Sequence, residues 1–454
     1  MKVKNRFLSV IVLVAMAGLA AAQSSNPRVE LKETKLGNGL RVITVEDKSA
    51  PVIALNITYN VGSRNEREGR TGFAHLFEHM MFQGSENVGK AEQFVLVYNN
   101  GGTMNGTTNE DRTNYFEALP ANQLELALFL EADRMRSLAV TQENLDNQRN
   151  AVQEERRIGL DNAAYGKSGE IQQELMYDNF AYKHSTIGSM KDLNAASVED
   201  VAAFFKMYYA PNNATLTLVG DFKTAEALAL VKKYFDTIPR QPDPPAVDMT
   251  EPEQKGERRQ SVDDALARLA RISIAYKTVP GNTKDYYALA VLSTVLGGGN
   301  SSRLNQKLVR EKEMVTNAGT FAQEMRGVGG FYVFATPRGS AKHADVEAAI
   351  YDEIARLQKE PIADWELQKA KSGARRNFIN SLQSSLGRAN AIGQAAVYYN
   401  DPNVINTRLD QIMAVTKEDV QRVANKYLVQ NNRTVVITIP KAPMGGGMGP
   451  GMQD

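Results

Sequence analysis

Two histidines and a glutamate stand together in the pentapeptide His75-Leu76-Phe77-Glu78-His79, in a chain with only four histidines. On a helix, side chains four residues apart share a face, about 5–6 Å apart at Cβ, so both imidazoles can reach one metal ion. Glu78 lies on the same face, where a carboxylate can act as a general base beside the metal. The alternative is two unrelated histidines on a helix surface, but apolar flanks favour a helical metal site.

A third ligand is expected, because a catalytic zinc ion commonly takes three protein ligands. The other two histidines, His184 in a polar loop and His343 at the start of a helix, are predicted to be solvated. A carboxylate is therefore the better candidate, and the predicted helix 144–158 offers Glu154 and Glu155. Periodicity alone leaves the choice between these two glutamates open.

The N-terminus has the three parts of a secretory signal peptide over residues 1–22. Basic residues come first, an apolar run follows from Phe7 to about Leu19, and the small residues Ala20-Ala21-Ala22 end the segment. The apolar run is shorter than the roughly 20 residues that a membrane span needs. We therefore expect export to the periplasm or the medium, with no membrane span after cleavage of the signal.

The amino-acid composition limits the possible metal ligands and partners. Cysteine is absent, so the chain has neither disulfides nor thiolate ligands. The net charge of +1 argues against a nucleic-acid partner. Ligands for a metal must therefore come from histidine and carboxylate side chains.

A proline-rich segment, residues 239–259, divides the chain. It contains five prolines and no hydrophobic periodicity, which is typical of a linker. The segment separates an N-terminal domain, residues 28–238, from a C-terminal domain, residues 260–440. We call these the first and second halves. The Gly/Met-rich residues 441–454 are predicted to be disordered.

The two halves look like a repeat. Residues 197–215 align without a gap with residues 416–434, and in both a capped helix leads through two asparagines to a strand. The second half has an apolar helix, residues 286–296, that carries no histidine or glutamate. Strands mixed with long helices predict an α+β fold, with a mixed α/β domain in each half and a metal site only in the first.

Further motifs resemble a known family. The runs Val61–Gly84, Gly101–Asn105 and Leu130–Met135 resemble the M16 metallopeptidases, inverzincins that include pitrilysin and the mitochondrial processing peptidase. The chain length resembles the short-subunit M16B type. The resemblance implies two homologous domains of the LuxS/MPP-like type that form half of a clamshell. In the family a distal glutamate completes the metal site, and Glu155, with 75 residues between it and His79, fits that position.

The activity that this resemblance implies is that of a zinc-dependent endopeptidase with one Zn²⁺ per chain. Unfolded peptides or oligopeptides would be hydrolysed by metal-activated water, with Glu78 as the general base. The strand that contains Met104, Asn105 and Gly106 would bind the extended substrate by backbone pairing. Gln148 stands where many relatives have a second glutamate, beside the metal ligands.

Two other functions are compatible with parts of the sequence. A non-catalytic or weakly active subunit or scaffold of a heterodimeric peptidase is the main alternative, although a scaffold has no need of the complete site. Nucleotide binding at the glycine-rich residues 297–303 is disfavoured, because no Gly-Lys-Ser/Thr follows. In the family this stretch contributes to substrate handling.

The resemblance also implies a partner chain. In the family the opposite half of the clamshell contributes an arginine and, seven residues later, a tyrosine that hold the substrate carbonyl. This chain has Arg310, but Asn317 stands at the tyrosine position. We therefore expect a heterodimer with a related M16 chain that carries the Arg/Tyr pair, with a homodimer as the alternative.

Overall fold

Two β-sheets, one in each half, organise the residues described by this computed structural model, 28–339 and 341–441. Within these residues the first sheet has six strands in the order β1-β2-β6-β3-β5-β4, and the second has five in the order β7-β11-β8-β10-β9. The predicted signal peptide and residues 442–454 of the predicted tail lie outside the described residues. The strands are β1 (Lys32–Lys35), β2 (Arg41–Glu46), β3 (Val52–Tyr59), β4 (Thr103–Thr108), β5 (Thr113–Pro120), β6 (Ala214–Gly220), β7 (Arg258–Asp264), β8 (Arg271–Lys277), β9 (Val315–Gln323), β10 (Gly330–Pro337) and β11 (Arg433–Pro440).

Helices connect and cover these strands. The α-helices are α1 (Phe73–Met80), α2 (Glu92–Asn99), α3 (Leu124–Ser137), α4 (Gln142–Arg156), α5 (Gly166–Met176), α6 (Phe180–Lys183), α7 (Met190–Asn194), α8 (Val198–Tyr208), α9 (Thr224–Phe235), α10 (Lys284–Gly297), α11 (His343–Lys359), α12 (Asp364–Ser381), α13 (Ser385–Tyr399), α14 (Val404–Ala414) and α15 (Lys417–Tyr427). Short 3₁₀ turns cover Ser63–Asn65, Ala121–Gln123, Pro211–Asn213 and Gln430–Asn432, and π-helical segments cover Arg157–Asp161 and Asn305–Glu311. The predicted α+β fold is confirmed.

The two sheets share one topology. In the first, β2 pairs in parallel with β6, and β3 pairs antiparallel with both β6 and β5. In the second, β7 pairs in parallel with β11, and β8 pairs antiparallel with both β11 and β10. The hairpin β4–β5 of the first sheet therefore corresponds to the hairpin β9–β10 of the second. Both β4 and β9 are edge strands among the described residues.

Local sequence explains the repeated helix-to-strand unit. The Ser197 hydroxyl accepts the backbone N–H of Asp200 (3.2 Å), and the Thr416 hydroxyl accepts that of Asp419 (3.1 Å). Such caps bind backbone N–H groups that have no partner within the helix. After each helix, a 3₁₀ turn built on two asparagines leads into an interior strand of its sheet, β6 or β11.

One helix of each half packs on the sheet of the other half. Helix α5 of the first half packs on β11 and β8 of the second sheet, and α13 of the second half packs on β3 and β6 of the first. Hydrogen bonds fix both contacts: Ser168 Oγ lies 2.7 Å from Thr438 Oγ1, and Asn56 Nδ2 donates to Asn390 Oδ1 (2.6 Å). Each half thus contributes to the packing of the other, and the division at residues 239–259 stays a prediction.

The proline-rich segment lies against the folded chain. Residues 239–257 contain no helix or strand, and β7 begins at Arg258, within the last residues of the predicted linker. The ammonium of Lys277 contacts the carboxylate of Glu251 at 2.5 Å, and the Asn179 side chain donates to the carbonyls of Asp248 and Thr250. These contacts hold the segment in a defined path.

Hydrophobic burial is divided between the sheets. One apolar cluster includes Ile53, Leu55, Leu76 and Phe77 of the first half, and another includes Ile272, Leu292 and Phe331 of the second. A smaller cluster forms between the halves, from Met176, Tyr177, Tyr182, Ala275 and Met325. Among the described residues, no helix combines the length and the hydropathy that crossing a membrane requires.

Candidate metal site

Helix α1 begins at a tight approach between two loops. Gly72, just before the helix, has φ +86°, and a Cβ there would lie 2.6 Å from the carbonyl oxygen of Ile187. Glycine tolerates both conditions. Because Gly72 has no side chain to cap the helix, Glu66 does so: its carboxylate accepts the backbone N–H groups of Gly72 (2.9 Å) and Ala74 (2.7 Å).

The apolar side of α1 fixes its rotation. Phe73, Leu76, Phe77 and Met80 are buried, and the Phe77 ring lies 4.2 Å, centroid to centroid, from the ring of Tyr209. The opposite side of the helix carries His75, Glu78 and His79. Packing of the apolar residues therefore presents the three polar side chains together.

The predicted ligands come together in the structure. Glu155 Oε2 lies 3.6 Å from His75 Nε2 and 3.4 Å from His79 Nε2. Ligand atoms of the three side chains lie within 4.8 Å of one another, and no other such cluster occurs among residues 28–339 and 341–441. Glu154 instead accepts a hydrogen bond from Arg157 (2.9 Å) at an exposed position. Of the two glutamates in question, Glu155 is the one beside the histidines.

The chemistry of the three side chains fits a zinc ion. Zinc takes imidazole nitrogen and carboxylate oxygen ligands, and it requires the imidazoles to be neutral. Burial, together with the neighbouring His79, lowers the pKa of His75 to about 4. His75 Nδ1 is buried and has no hydrogen-bond partner among the described residues, so packing orients this ring. The neutral ligand form is thus present at ordinary pH.

Glu78 lies beside the cluster in a largely buried position. Its Oε2 accepts a hydrogen bond from the Thr108 hydroxyl at 2.5 Å. Burial raises the pKa of Glu78, while Thr108, His79 and Arg112 act in the opposite direction. A carboxylate whose pKa is raised accepts a proton more readily, which suits a general base.

The predicted substrate strand runs past Glu78. Met104 is buried, Asn105 is exposed, and Gly106 lies so near that a Cβ there would be 3.2 Å from Glu78 Cγ. Strand β4 pairs with β5 on one side, and its other side is an edge among the described residues. The structure thus places Met104, Asn105 and Gly106 on an edge strand next to the candidate base.

Gln148 and Arg310 are two predicted site residues that do not belong to the His-His-Glu cluster. The Gln148 amide, on α4, donates to Asn147 Oδ1 (2.6 Å), and no hydrogen bond from it to His75 or His79 occurs in the described residues. Arg310 is exposed in the segment Asn305–Glu311, and Asn317 is exposed on the edge strand β9. Their roles at the metal and at the substrate stay predictions.

The expectation that His184 is solvated is wrong. Its side chain is 12% exposed, and its Nε2 lies 2.9 Å from Glu66 Oε2. His184 therefore supports the same carboxylate that caps α1. The pair is 118 positions apart in the chain, so no local pattern in the sequence indicates it. His343 is half-buried at the first residue of α11 and belongs to no described ligand cluster.

The described part of the chain is an α/β protein of two repeated halves, with a His-His-Glu candidate metal site in the first. Comparison with known proteins gives the family. Residues 41–165 match the family described as Insulinase (Peptidase family M16), and residues 195–374 match the description Peptidase M16 inactive domain. The chain is 31% identical to the zinc protease PqqE of Helicobacter pylori over 437 residues, 95% of this chain and 98% of the relative. The chain belongs to the M16 family of peptidases, which confirms the resemblance found in the sequence.

Other relatives agree. A probable mitochondrial-processing peptidase subunit beta of Arabidopsis thaliana is 24% identical, with 88% of this chain and 76% of the relative aligned. A protease from Helicobacter pylori has a crystal structure that superposes with a TM-score of 0.87 at 31% identity, covering 91% of this chain and all (100%) of that one. The periplasmic protease PqqL from Escherichia coli shares the fold, with a TM-score of 0.75 at 18% identity. The match covers 92% of this chain but 48% of PqqL.

Proposed function

We propose that this M16 peptidase is an exported zinc endopeptidase that cleaves unfolded peptides or oligopeptides. The observation that carries the proposal is the convergence of His75, His79 and Glu155 beside the buried carboxylate of Glu78. One zinc ion held by these three side chains would polarise the scissile carbonyl and acidify the attacking water.

The other steps belong to residues of this chain. Glu78 accepts the proton of the attacking water and then gives it to the leaving amine. The hydrogen bond from Thr108 to Oε2 holds this carboxylate in place for the proton transfer. Strand β4 binds the substrate in an extended form by backbone pairing. Because that pairing uses hydrogen bonds to the substrate main chain, unfolded segments of many sequences can bind to β4.

Export rests on the N-terminal signal pattern in the sequence. The Escherichia coli protease PqqL, which shares the fold, is described as periplasmic. On this proposal the substrates are peptides met outside the cytoplasm.

The metal assignment has a matched control within one helix. Glu155→Gln removes a proposed ligand, whereas Glu154→Gln changes the adjacent glutamate, which pairs with Arg157. After dialysis, zinc measured by mass spectrometry should fall in the first variant and match wild type in the second. Stoichiometric zinc in a His75→Ala/His79→Ala protein would overturn the site.

The same preparations test the base. Glu78→Gln should keep its zinc, because no ligand changes, and should cleave a fluorescence-quenched peptide on the order of 10²–10⁴-fold more slowly than wild type. Wild-type turnover by this variant would exclude Glu78 as the base. A zinc-loaded wild type with no turnover in any assembly would instead favour a scaffold.

A further inference from the structure

The position of Glu78 depends on the turn between β4 and β5. Thr108, the last residue of β4, donates the hydrogen bond to Glu78, and the turn begins with the next residue, Asn109. Arg112, at the other end of the turn, donates to the carbonyl of Thr107 (2.7 Å). A shift of this turn would therefore move the hydroxyl that holds Glu78.

Asp111, within that turn, is bound from both halves of the chain. Its Oδ1 accepts the Tyr182 hydroxyl (2.8 Å) and lies 3.2 Å from Arg64 Nε, both in the first half. Its Oδ2 accepts the backbone N–H of Arg326 (2.8 Å) in the second half. The side chain of Asp111 is 1% exposed. A buried carboxylate with this many donors has little freedom to move.

The second half adds two more contacts to this network of hydrogen bonds around Asp111. The N–H of Gly327 donates to the Tyr182 hydroxyl (2.9 Å), and Asn109 Nδ2 donates to the hydroxyl of Tyr398 on α13 (2.8 Å). Arg326 and Gly327 lie in the turn between β9 and β10. The turn between β9 and β10 in the second sheet is thus hydrogen-bonded to the corresponding turn between β4 and β5 in the first.

We propose that Asp111 is a positioning residue through which the second half, which lacks the metal cluster, sets the position of the general base. The inference rests on the proposed function of Glu78. It gives the second half an indirect role in the chemistry of its own chain, through Asp111 and Thr108, in addition to any role opposite another metal site. The link runs from Arg326 to Asp111, along the turn to Thr108, and from Thr108 to Glu78.

Asp111→Asn tests the link. The amide keeps the size of the carboxylate but places an N–H₂ group against donors, so the turn loses part of its anchorage. We expect kcat to fall on the order of tenfold to a hundredfold, because small displacements of a catalytic group have effects of that size. KM should stay within about twofold, and zinc content should equal that of wild type, because β4 and the ligands remain.

A matched control removes a different hydrogen bond between the halves. Thr438→Val breaks the Ser168–Thr438 contact on α5 and β11, away from the turn. Its kcat should equal that of wild type. Hydrogen–deuterium exchange of the turn, residues 109–112, should quicken in Asp111→Asn and stay unchanged in Thr438→Val, and this readout needs no activity. If Asp111→Asn fails to fold, Tyr182→Phe removes one donor to Asp111, and a smaller loss of kcat in the same direction is expected.

The outcomes separate cleanly. Wild-type kcat in folded, zinc-loaded Asp111→Asn or Tyr182→Phe would overturn the inference and leave the proposed function standing. An equal loss of kcat in Thr438→Val would also overturn it, since any contact between the halves would then suffice. A wild type without peptidase activity in any assembly would remove the proposed function itself. Unchanged exchange in Asp111→Asn would show that Asp111 does not anchor the turn.

Discussion

At the scale of single residues, burial gives neighbouring groups on α1 different protonation behaviour. Burial disfavours the charged form of each group, so it lowers the pKa of His75 and raises that of Glu78. The histidine is thereby kept neutral for metal binding, and the carboxylate becomes a better proton acceptor. A common physical cause thus prepares two groups for two tasks.

Glu66 and His184 form the support behind these groups. The Glu66 side chain is fully buried, and it accepts the first N–H groups of α1 as well as the His184 ring. Loss of a helix cap costs about 1 kcal/mol, whereas removal of one partner of a buried ion pair costs about 3–5 kcal/mol. The partner of Glu66 therefore matters more to stability than one capping bond.

This pair predicts a pH dependence of stability. Burial disfavours charge on His184, but the hydrogen bond and charge of Glu66 outweigh it and raise the pKa of His184 above 6.5. The folded protein then holds the proton more tightly than the unfolded chain. The stabilisation is complete below about pH 6.5 and is lost as the pH rises through the higher, folded pKa. His184→Gln should therefore reduce the free energy of unfolding more at about pH 6 than at about pH 9.

Urea unfolding of metal-free wild type and His184→Gln at both pH values measures this effect. The difference between the two proteins cancels the other charged groups around the same cavity, which both proteins keep: Glu68, Arg156, Glu170, Glu174, Lys183 and Asp192. An equal difference at both pH values would show that folding does not raise the pKa of His184.

At the scale of elements, β4, the proposed substrate strand, lies beside Glu78, the proposed general base. A Cβ at Gly106 would lie 3.1 Å from the Tyr115 ring and 3.2 Å from Glu78 Cγ, closer than side chains usually pack. Gly106→Ala should therefore displace Glu78 and lower kcat/KM on the order of tenfold or more. Zinc content should not change. Gly37→Ala, where nothing lies within 4 Å, is the control; equal kcat/KM in both variants would contradict the prediction.

Elements that depend on local pattern were predictable from the sequence. The apolar spacing around His75 predicts α1, and the Ser197 and Thr416 caps predict the repeated helix-to-strand unit. The choice of Glu155 over Glu154 needed the family resemblance, because both glutamates lie on one helix. The exchange of α5 and α13 and the Glu66–His184 pair escaped prediction, since they join segments distant in sequence.

At the scale of the whole molecule, two parts of the second half are relevant to catalysis in the proposed enzyme. The first is the turn between β9 and β10, where the N–H groups of Arg326 and Gly327 donate hydrogen bonds to Asp111 and Tyr182. The second is the edge strand β9, which carries the exposed Asn317 and follows the exposed Arg310 in the sequence.

The partner prediction follows from Asn317. If an arginine and a tyrosine must face the metal site from the opposite chain, a homodimer offers Arg310 without the tyrosine, and its substrate carbonyl loses one hydrogen-bond donor. Loss of one such donor typically costs about 10²–10³-fold in kcat. The purified chain should therefore cleave peptides poorly, and a related chain with the Arg/Tyr pair should raise its activity.

Asn317→Tyr distinguishes the two assemblies. In a homodimer the new tyrosine should raise kcat and make it sensitive to Arg310→Ala, whereas the activity of an assembled heterodimer should stay unchanged, because the partner already supplies the pair. Light scattering gives the oligomeric state of each preparation, and quenched-peptide assays give kcat. Full activity from the single chain, insensitive to both substitutions, would show that neither position takes part in catalysis.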